Sequence, residues 1–383
     1  MRRAVRVIAL CLIPVMLSGC WSYRSLGDLS IVMGFGLDHD HATNEFLVSA
    51  EIADLSKVKQ SGPSSKLIEA KGKTIFEAFR DAKRRLNNRL FFSNTQIVAI
   101  GEHMARADGI MGAVDWILRD AEPRETLMML IAKGGDARDL FKAQGLDQPI
   151  ISLEMDAIIT DDNKITSSTS HEELYQIYDI LNGQGMSLTL PAFHLTDNNG
   201  KKVVELDGTA AFKGDKLVGY LSPEETKYFL IATGKCKGGI LALAMHGKGA
   251  PDTSLEIADS TAKTTFTNEG GKLAFHIETE TKVYLAETMD TIDVLKKDQI
   301  EALEEEAGRR LEMEIGALIK RVQAEIKSDI FGFGHIIHQH DLPLWRQLQS
   351  QWDSTFETLP VWVDCKVKIV NTAQISSNEA IRQ

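Results

Sequence analysis

Apolar positions in this chain change period several times, and each change marks an element. Ile31 to Leu37 and Phe46 to Ala53 alternate or run apolar with β-formers, so they read as two strands joined by the polar turn Asp38 to Glu45. Gly34 and Gly36 lie inside the first strand. With no third glycine and no helix start behind them they make no dinucleotide loop, and in a strand they mark a bulge or a close backbone approach. Residues 56 to 66 are polar and aperiodic around Gly62-Pro63, a loop leading to a strand near Leu67 to Ala70. Thr74 and Glu77 have capping-box spacing and open a helix with Ile75, Phe79, Ala82 and Leu86 on one face. Its cations Arg80, Lys83, Arg84 and Arg85 suit the negative end of the helix dipole rather than a phosphate site. Ile97 to Ile100 and Leu127 to Ala132 read as buried strands, with a helix marked by Ile110, Val114, Ile117 and Leu118 between them. A short helix follows from Asp136, whose side chain is expected to cap it, to about Lys142.

Ser170-His171-Glu172-Glu173 starts a further helix that ends near Gly183, and Tyr175 stands where the second histidine of a zincin HExxH motif would be. The turn residues Asp197-Asn198-Asn199-Gly200 set an expected domain boundary. Thr209 to Phe212 and Leu217 to Leu221 flank Lys213-Gly214-Asp215-Lys216 as a hairpin, and Ser222-Pro223-Glu224-Glu225 opens a short helix reaching about Thr233. From Lys272 to Leu285 apolar residues keep odd positions, the mark of a strand with one buried face. From about Thr291 to Ser328, Leu303, Ala307, Leu311, Ile315, Ile319, Val322 and Ile326 step by three and four, which predicts one amphipathic helix about 57 Å long. Its stripe suits packing on the chain's own sheet, with a coiled-coil partner as the alternative, and Gly308 and Gly316 are expected bend or close-approach points.

This order predicts an α+β or mixed α/β fold of several domains, with mixed sheets, packed helices and one long C-terminal amphipathic helix. The expected division is residues 1–19, a tether 20–29, an N-terminal mixed α/β region 30–196 of one or two subdomains, and a C-terminal α/β domain 203–383 carrying the helix 291–328. A length of 383 residues suits two or three domains.

The first residues change the picture most. Arg2, Arg3 and Arg6 precede an apolar run from Val7 to Leu17 that closes on Ser18 and Gly19, the layout of a secretory signal peptide. The run contains Pro14 and spans 11 residues, whereas a membrane-spanning helix needs about 20. Leu17-Ser18-Gly19-Cys20 resembles a bacterial lipobox, in which cleavage leaves a diacylglyceryl-modified cysteine as the first residue. No cofactor is expected beyond the covalent lipid on Cys20, a diacylglyceryl group with an optional N-acyl chain, palmitate being the expected acyl type. An uncleaved anchor or a plainly secreted chain with a free Cys20 thiol are the alternatives. Two acyl chains give stable membrane attachment where one is marginal.

Losing three arginines with residues 1–19 takes the formal charge from -11 to -14, which disfavours nucleic acid and anionic lipid heads as partners. Of the four cysteines, Cys11 leaves with the signal peptide and Cys20 carries lipid. Cys236 and Cys365 remain, 129 positions apart with no framework of short spacings, so pairing between them stays open.

Beyond the long helix come Ser328-Asp329-Ile330-Phe331-Gly332-Phe333-Gly334, then His335 to His340, Pro343, Trp345, Trp352 and a strand near Val361 to Val370. Together with Leu17 to Trp21, Leu29 to Asp38, Thr95 to His103, Phe212 to Tyr220 and Thr233 to Gly239, this block resembles the Ger(x)C family, the lipoprotein C subunits of spore germinant receptors. The resemblance implies three α/β domains and a protein held by Cys20 on the outer face of the inner spore membrane. It implies A and B membrane subunits as partners, in receptors that answer to small nutrients. It implies no enzyme and brings no catalytic residues, and whether this subunit touches a small molecule stays open. Asp329, Phe331, Gly332, Phe333 and Gly334 are expected to be structural. His335, His338, His340 and Asp341 have zinc-like spacing, but on a helix His340 points away from the other two, and no metal is expected. A lipid-anchored solute-binding protein serving a transporter is the main rival. An envelope hydrolase is the weaker one, since GxSxG and HExxH are both missing.

Overall fold

The computed structural model describes residues 26–54, 62–119, 122–244, 252–289 and 296–371. The described residues build two sheets. The first joins β1 (Leu29–Asp40), β2 (Glu45–Ala53), β3 (Ser65–Gly72), β4 (Arg89–Phe91), β5 (Ile97–Gly101), β6 (Met128–Ala132), β7 (Thr189–Asn198), β8 (Lys201–Lys213) and β9 (Lys216–Leu221) in the order 3-2-1-5-6-7-8-9, with β4 beside β1. Its centre, β1-β5-β6-β7, is parallel, and antiparallel hairpins extend both edges.

The parallel centre follows from continuous apolar runs. Ile97 to Gly101 and Met128 to Ala132 are buried throughout, so helices must cover both faces. The period of two divides them. Val98, Ile100, Met129 and Ile131 meet α1 (Ile75–Ala82) and α3 (Met111–Arg119), which follows α2 (Glu102–Ala107). Ile97, Ala99 and Leu130 meet α4 (Ala137–Leu140) and α5 (Ile151–Ile165) on the other side. Gly34 and Gly36 are the close approaches: a Cβ at Gly34 would lie 2.3 Å from Ser152 Oγ, and one at Gly36 3.0 Å from the Ala137 Cβ.

Two helix caps differ from the sequence reading. The Glu77 backbone N–H donates to Thr74 Oγ1 at 3.1 Å, but the Glu77 carboxylate reaches one residue further back, to the Lys73 N–H at 2.7 Å. Asp136 makes no side-chain cap on α4. Asp38 does so from β1, receiving the N–H groups of Ala137 at 2.8 Å and Arg138 at 3.1 Å. Glu51 on β2 caps α5 in the same way through Ile151 at 2.9 Å and Ser152 at 2.8 Å. Buried carboxylates of the sheet thus satisfy orphan donors of the helices that cover it.

At Asp197 to Gly200, where a boundary was expected, the chain turns with positive φ at Asn199 and Gly200. The turn is a hairpin inside the first sheet, which runs on through Leu221. After α6 (Leu174–Asn182), which packs with α1 and α3, the next helix is α7 (Pro223–Ala232). Its N-terminus is the expected capping box, with Glu225 N–H on Ser222 Oγ at 3.2 Å and Ser222 N–H on Glu225 Oε2 at 2.9 Å.

The second sheet runs β10 (Ile240–Leu243), β11 (Thr253–Glu269), β12 (Lys272–Thr288) and β13 (Val361–Asn371). β11 and β12 form a long hairpin closed at Gly270-Gly271, and β13 returns parallel to β12. The long helix α8 (Lys297–Arg321) lies on this sheet, and all seven stripe residues predicted for it are buried. It is shorter than expected. The α-helical part is about 37 Å long, a widened turn follows over Val322–Ile326, and Lys327 in the left-handed region ends it. Residues 291–295 of the expected helix lie outside the described ones. Gly308 is a close approach, its Cβ position 2.8 Å from the Cys365 carbonyl oxygen, whereas Gly316 faces open space. Cys236 and Cys365 are both free and buried, and burial pushes the Cys365 thiol up to about 11. Among the described residues no helix is long and apolar enough to cross a membrane.

Candidate functional site

The block Asp329 to Gly334 sits where the two sheets meet. Lys327 turns the chain out of the long helix, and Ser328 Oγ then donates to the Phe212 carbonyl at 2.6 Å and lies 2.7 Å from Ser187 Oγ. Phe212 is on β8 and Ser187 just precedes β7, so both partners belong to the first sheet's side of the molecule.

Asp329 is 4 % exposed and fully used. Its Oδ1 accepts the N–H groups of Gly332 at 2.9 Å and Phe333 at 3.1 Å; its Oδ2 accepts Gly334 N–H at 2.8 Å and the Trp352 indole N–H at 3.1 Å. The carboxylate therefore caps α9 (Phe333–His340) and ties α11 (Trp352–Thr358) to it. Burial pushes its pKa up to about 6, and the backbone and indole donors offset part of that rise.

The glycines permit this contact. Gly332 has φ of +76°, a conformation that costs other residues about 1 kcal/mol or more. A Cβ on Gly334 would lie 2.7 Å from the Trp352 ring, and one on Gly185 would lie 2.3 Å from the Gly334 carbonyl carbon. The loop before β7 comes close enough to bond directly: His335 N–H donates to the Gly185 carbonyl at 2.7 Å, Ser187 N–H to the Asp329 carbonyl at 2.9 Å, and Trp345 Nε1–H to Gln184 Oε1 at 2.6 Å. Trp345 belongs to α10 (Leu342–Leu348). Phe331 and Phe333 stack with centroids 5.5 Å apart, and Phe333 continues onto Phe275 at 4.6 Å in the second sheet's core. The motif is thus a lock between the two sheets. Asp329, Gly332, Phe333 and Gly334 all contribute hydrogen bonds or close contacts to it, and Phe331 and Phe333 contribute ring packing.

The expected lipid site, Cys20 with Leu17, Ser18 and Gly19, lies outside the described residues. The histidines that follow the motif do not converge on one point. His335 and His338 ring centroids are 6.4 Å apart, His335 meets Gln339, His338 packs on Trp345, and Asp341 caps α10 through the Leu344 N–H at 3.0 Å. In the failed HExxH pattern, Glu172 pairs with Lys235 at 2.6 Å. The convergent group that sequence reasoning missed is His39, His41 and Asp108. Asp108 lies 67 and 69 positions beyond the two histidines in sequence, and only the His-x-His spacing hinted at the group.

Comparison with known proteins matches almost the whole chain in two consecutive pieces. Residues 22–195 match the spore germination protein N-terminal domain, and residues 207–373 match the family described as spore germination B3/GerAC like, C-terminal. Spore germination protein B3 of Bacillus subtilis (strain 168) is 25% identical over 377 residues, covering 97% of this chain and 98% of that one. Spore germination protein KC of the same organism is 23% identical over 401 residues, covering 97% and 96%. The crystal structure of the GerBC protein superposes with a TM-score of 0.57 at 23% identity, over 88% of this chain and 97% of that one, and shows the same fold.

Proposed function

Because this chain belongs to the Ger(x)C family of spore germination proteins and so has a role in germination, we propose that it is the lipid-anchored C subunit of a nutrient germinant receptor. In this reading Cys20 carries the acyl chains, the acidic body stands on the outer face of the inner spore membrane, and A and B membrane subunits are its partners. Its work is non-enzymatic: to assemble with those partners and to pass on or permit their response.

The observation that carries the proposal is full-length likeness. Both domain families match in order, and the alignment to spore germination protein B3 covers 97% of this chain and 98% of that relative, so a whole protein rather than a borrowed module is shared. The lock around Asp329 supports it from the structural side. A subunit that transmits a change between a membrane anchor and its partners needs its parts held in register, and Asp329, Trp345, Gly185 and Gln184 bind the two sheets together through named hydrogen bonds.

Spores lacking the gene, complemented with the parent chain or with Cys20→Ala, test this. The expected result is a lost response to at least one nutrient, restored by the parent chain and not by Cys20→Ala. Unchanged germination with a lost uptake of some solute would instead place the protein with a transporter.

A further inference from the structure

The end of β1 and the C-terminus of α2 bring three metal-ligating groups together. His39 stands one residue before the end of β1 and His41 opens the turn that follows, while Asp40 accepts the Ala42 N–H at 2.9 Å to fix that turn. Asp108 closes α2 with its own N–H on the Met104 carbonyl at 2.9 Å. Its carboxylate receives one imidazole on each oxygen: His39 Nδ1 is 2.8 Å from Oδ2 and His41 Nε2 is 3.1 Å from Oδ1. The three candidate ligand atoms all lie within 4.8 Å of one another.

The site is preorganised on one side and open on the other. The His39 side chain is 9% exposed and stacks on Phe46, with ring centroids 4.4 Å apart and planes 8° from parallel. Its Nε2 is buried and has no hydrogen-bond partner among the described residues. His41 and Asp108 are 37% and 32% exposed, which leaves solvent a path to the shared point. The His103 ring lines that open side, 4.6 Å from the His41 ring.

We propose that His39 Nδ1, His41 Nε2 and Asp108 bind a divalent transition-metal ion of the zinc type, with water in the fourth position. Ligand atoms about 2.0–2.1 Å from such an ion in a tetrahedral shell stand a little over 3 Å apart, close to the separations the two imidazoles already keep from Asp108. Two imidazoles and one carboxylate favour zinc, iron, nickel or copper over magnesium or calcium, which prefer oxygen alone. The ion joins the β1–β2 turn to α2 in place of two shared protons. The assignment does not depend on the receptor reading.

Cobalt(II) is the probe, because four-coordinate cobalt has intense visible bands and zinc displaces it. The full-length chain, purified in detergent without a polyhistidine tag and stripped of metal, is titrated with cobalt chloride and then with zinc chloride. One equivalent of cobalt with tetrahedral bands, displaced by zinc, is expected for the parent chain and for a His335→Ala/His338→Ala double variant. His41→Ala and Asp108→Asn both alter partly exposed side chains. Each should weaken binding by more than the roughly 10–100-fold that outer-shell groups control, while far-ultraviolet circular dichroism of the metal-free protein stays unchanged. Failure of the parent chain to bind cobalt, or equal binding by the folded His41→Ala and Asp108→Asn proteins, overturns the assignment.

Discussion

Trp352 donates its indole N–H to Asp329 Oδ2 at 3.1 Å, across 23 residues and inside a fully packed interior. That one bond completes a carboxylate with two donors on each oxygen. Asp329→Asn keeps the shape but leaves one end, now NH2, facing two N–H donors. A buried unsatisfied donor costs about 1–3 kcal/mol, so urea unfolding should show a loss of that order. Trp352→Phe removes a single donor and packing atoms, and should cost about 1–2 kcal/mol. Equal stability of Asp329→Asn and the parent chain would remove Asp329 from the lock.

Asp329 and Asp38 also set a pH dependence. Burial pushes both up to about 6 from an ordinary value of 3.8, with backbone N–H bonds offsetting part of the rise. Between about pH 4 and pH 6 the folded state holds protons that the unfolded state has released. The stability each group contributes is therefore full below pH 4 and is lost as pH rises through 6, by about 3 kcal/mol per group. The deficit of Asp329→Asn against the parent chain should accordingly narrow between pH 4.5 and pH 7.5. A deficit that widens over that range would contradict the sign.

Two glycines of the long helix should respond in opposite directions. Gly316→Ala enters open space and removes a flexible residue from a helix interior, a gain of about 0.5–1 kcal/mol. Gly308→Ala places a Cβ 2.8 Å from the Cys365 carbonyl oxygen and should lower the melting temperature.

The same helix protects the edge of the second sheet. Glu312 Oε1 accepts the Cys365 N–H at 3.1 Å and Glu304 Oε1 the Ile369 N–H at 2.7 Å, so outward N–H groups of the edge strand β13 are already used. An open edge templates pairing with another chain. The double variant Glu304→Ala/Glu312→Ala should therefore self-associate in analytical ultracentrifugation at concentrations where the parent chain does not.

Elements whose evidence is local were legible in the sequence. The seam from Leu303 to Ile326, the Ser222–Glu225 capping box and the hairpin at Lys213 to Lys216 each follow from residues a few positions apart. What was not legible depends on distant pairs. The α4 cap comes from Asp38, 99 positions before its partner, rather than from the adjacent Asp136. Asp108 meets His39 and His41 only because the sheet order places β1 next to β5 and α2 follows β5 directly. The Asp329 block was visible as a family motif, but its service as a lock needs Gln184, Gly185 and Ser187, about 140 residues earlier in the chain.

The receptor reading is tested most directly by isolating the intact protein from spore inner membranes and identifying co-purified proteins by mass spectrometry, beside a Cys20→Ala form. A-type and B-type membrane subunits should come with the intact protein and be lost or reduced with Cys20→Ala. Recovery of the intact protein without such subunits, or together with a transporter, would contradict the reading.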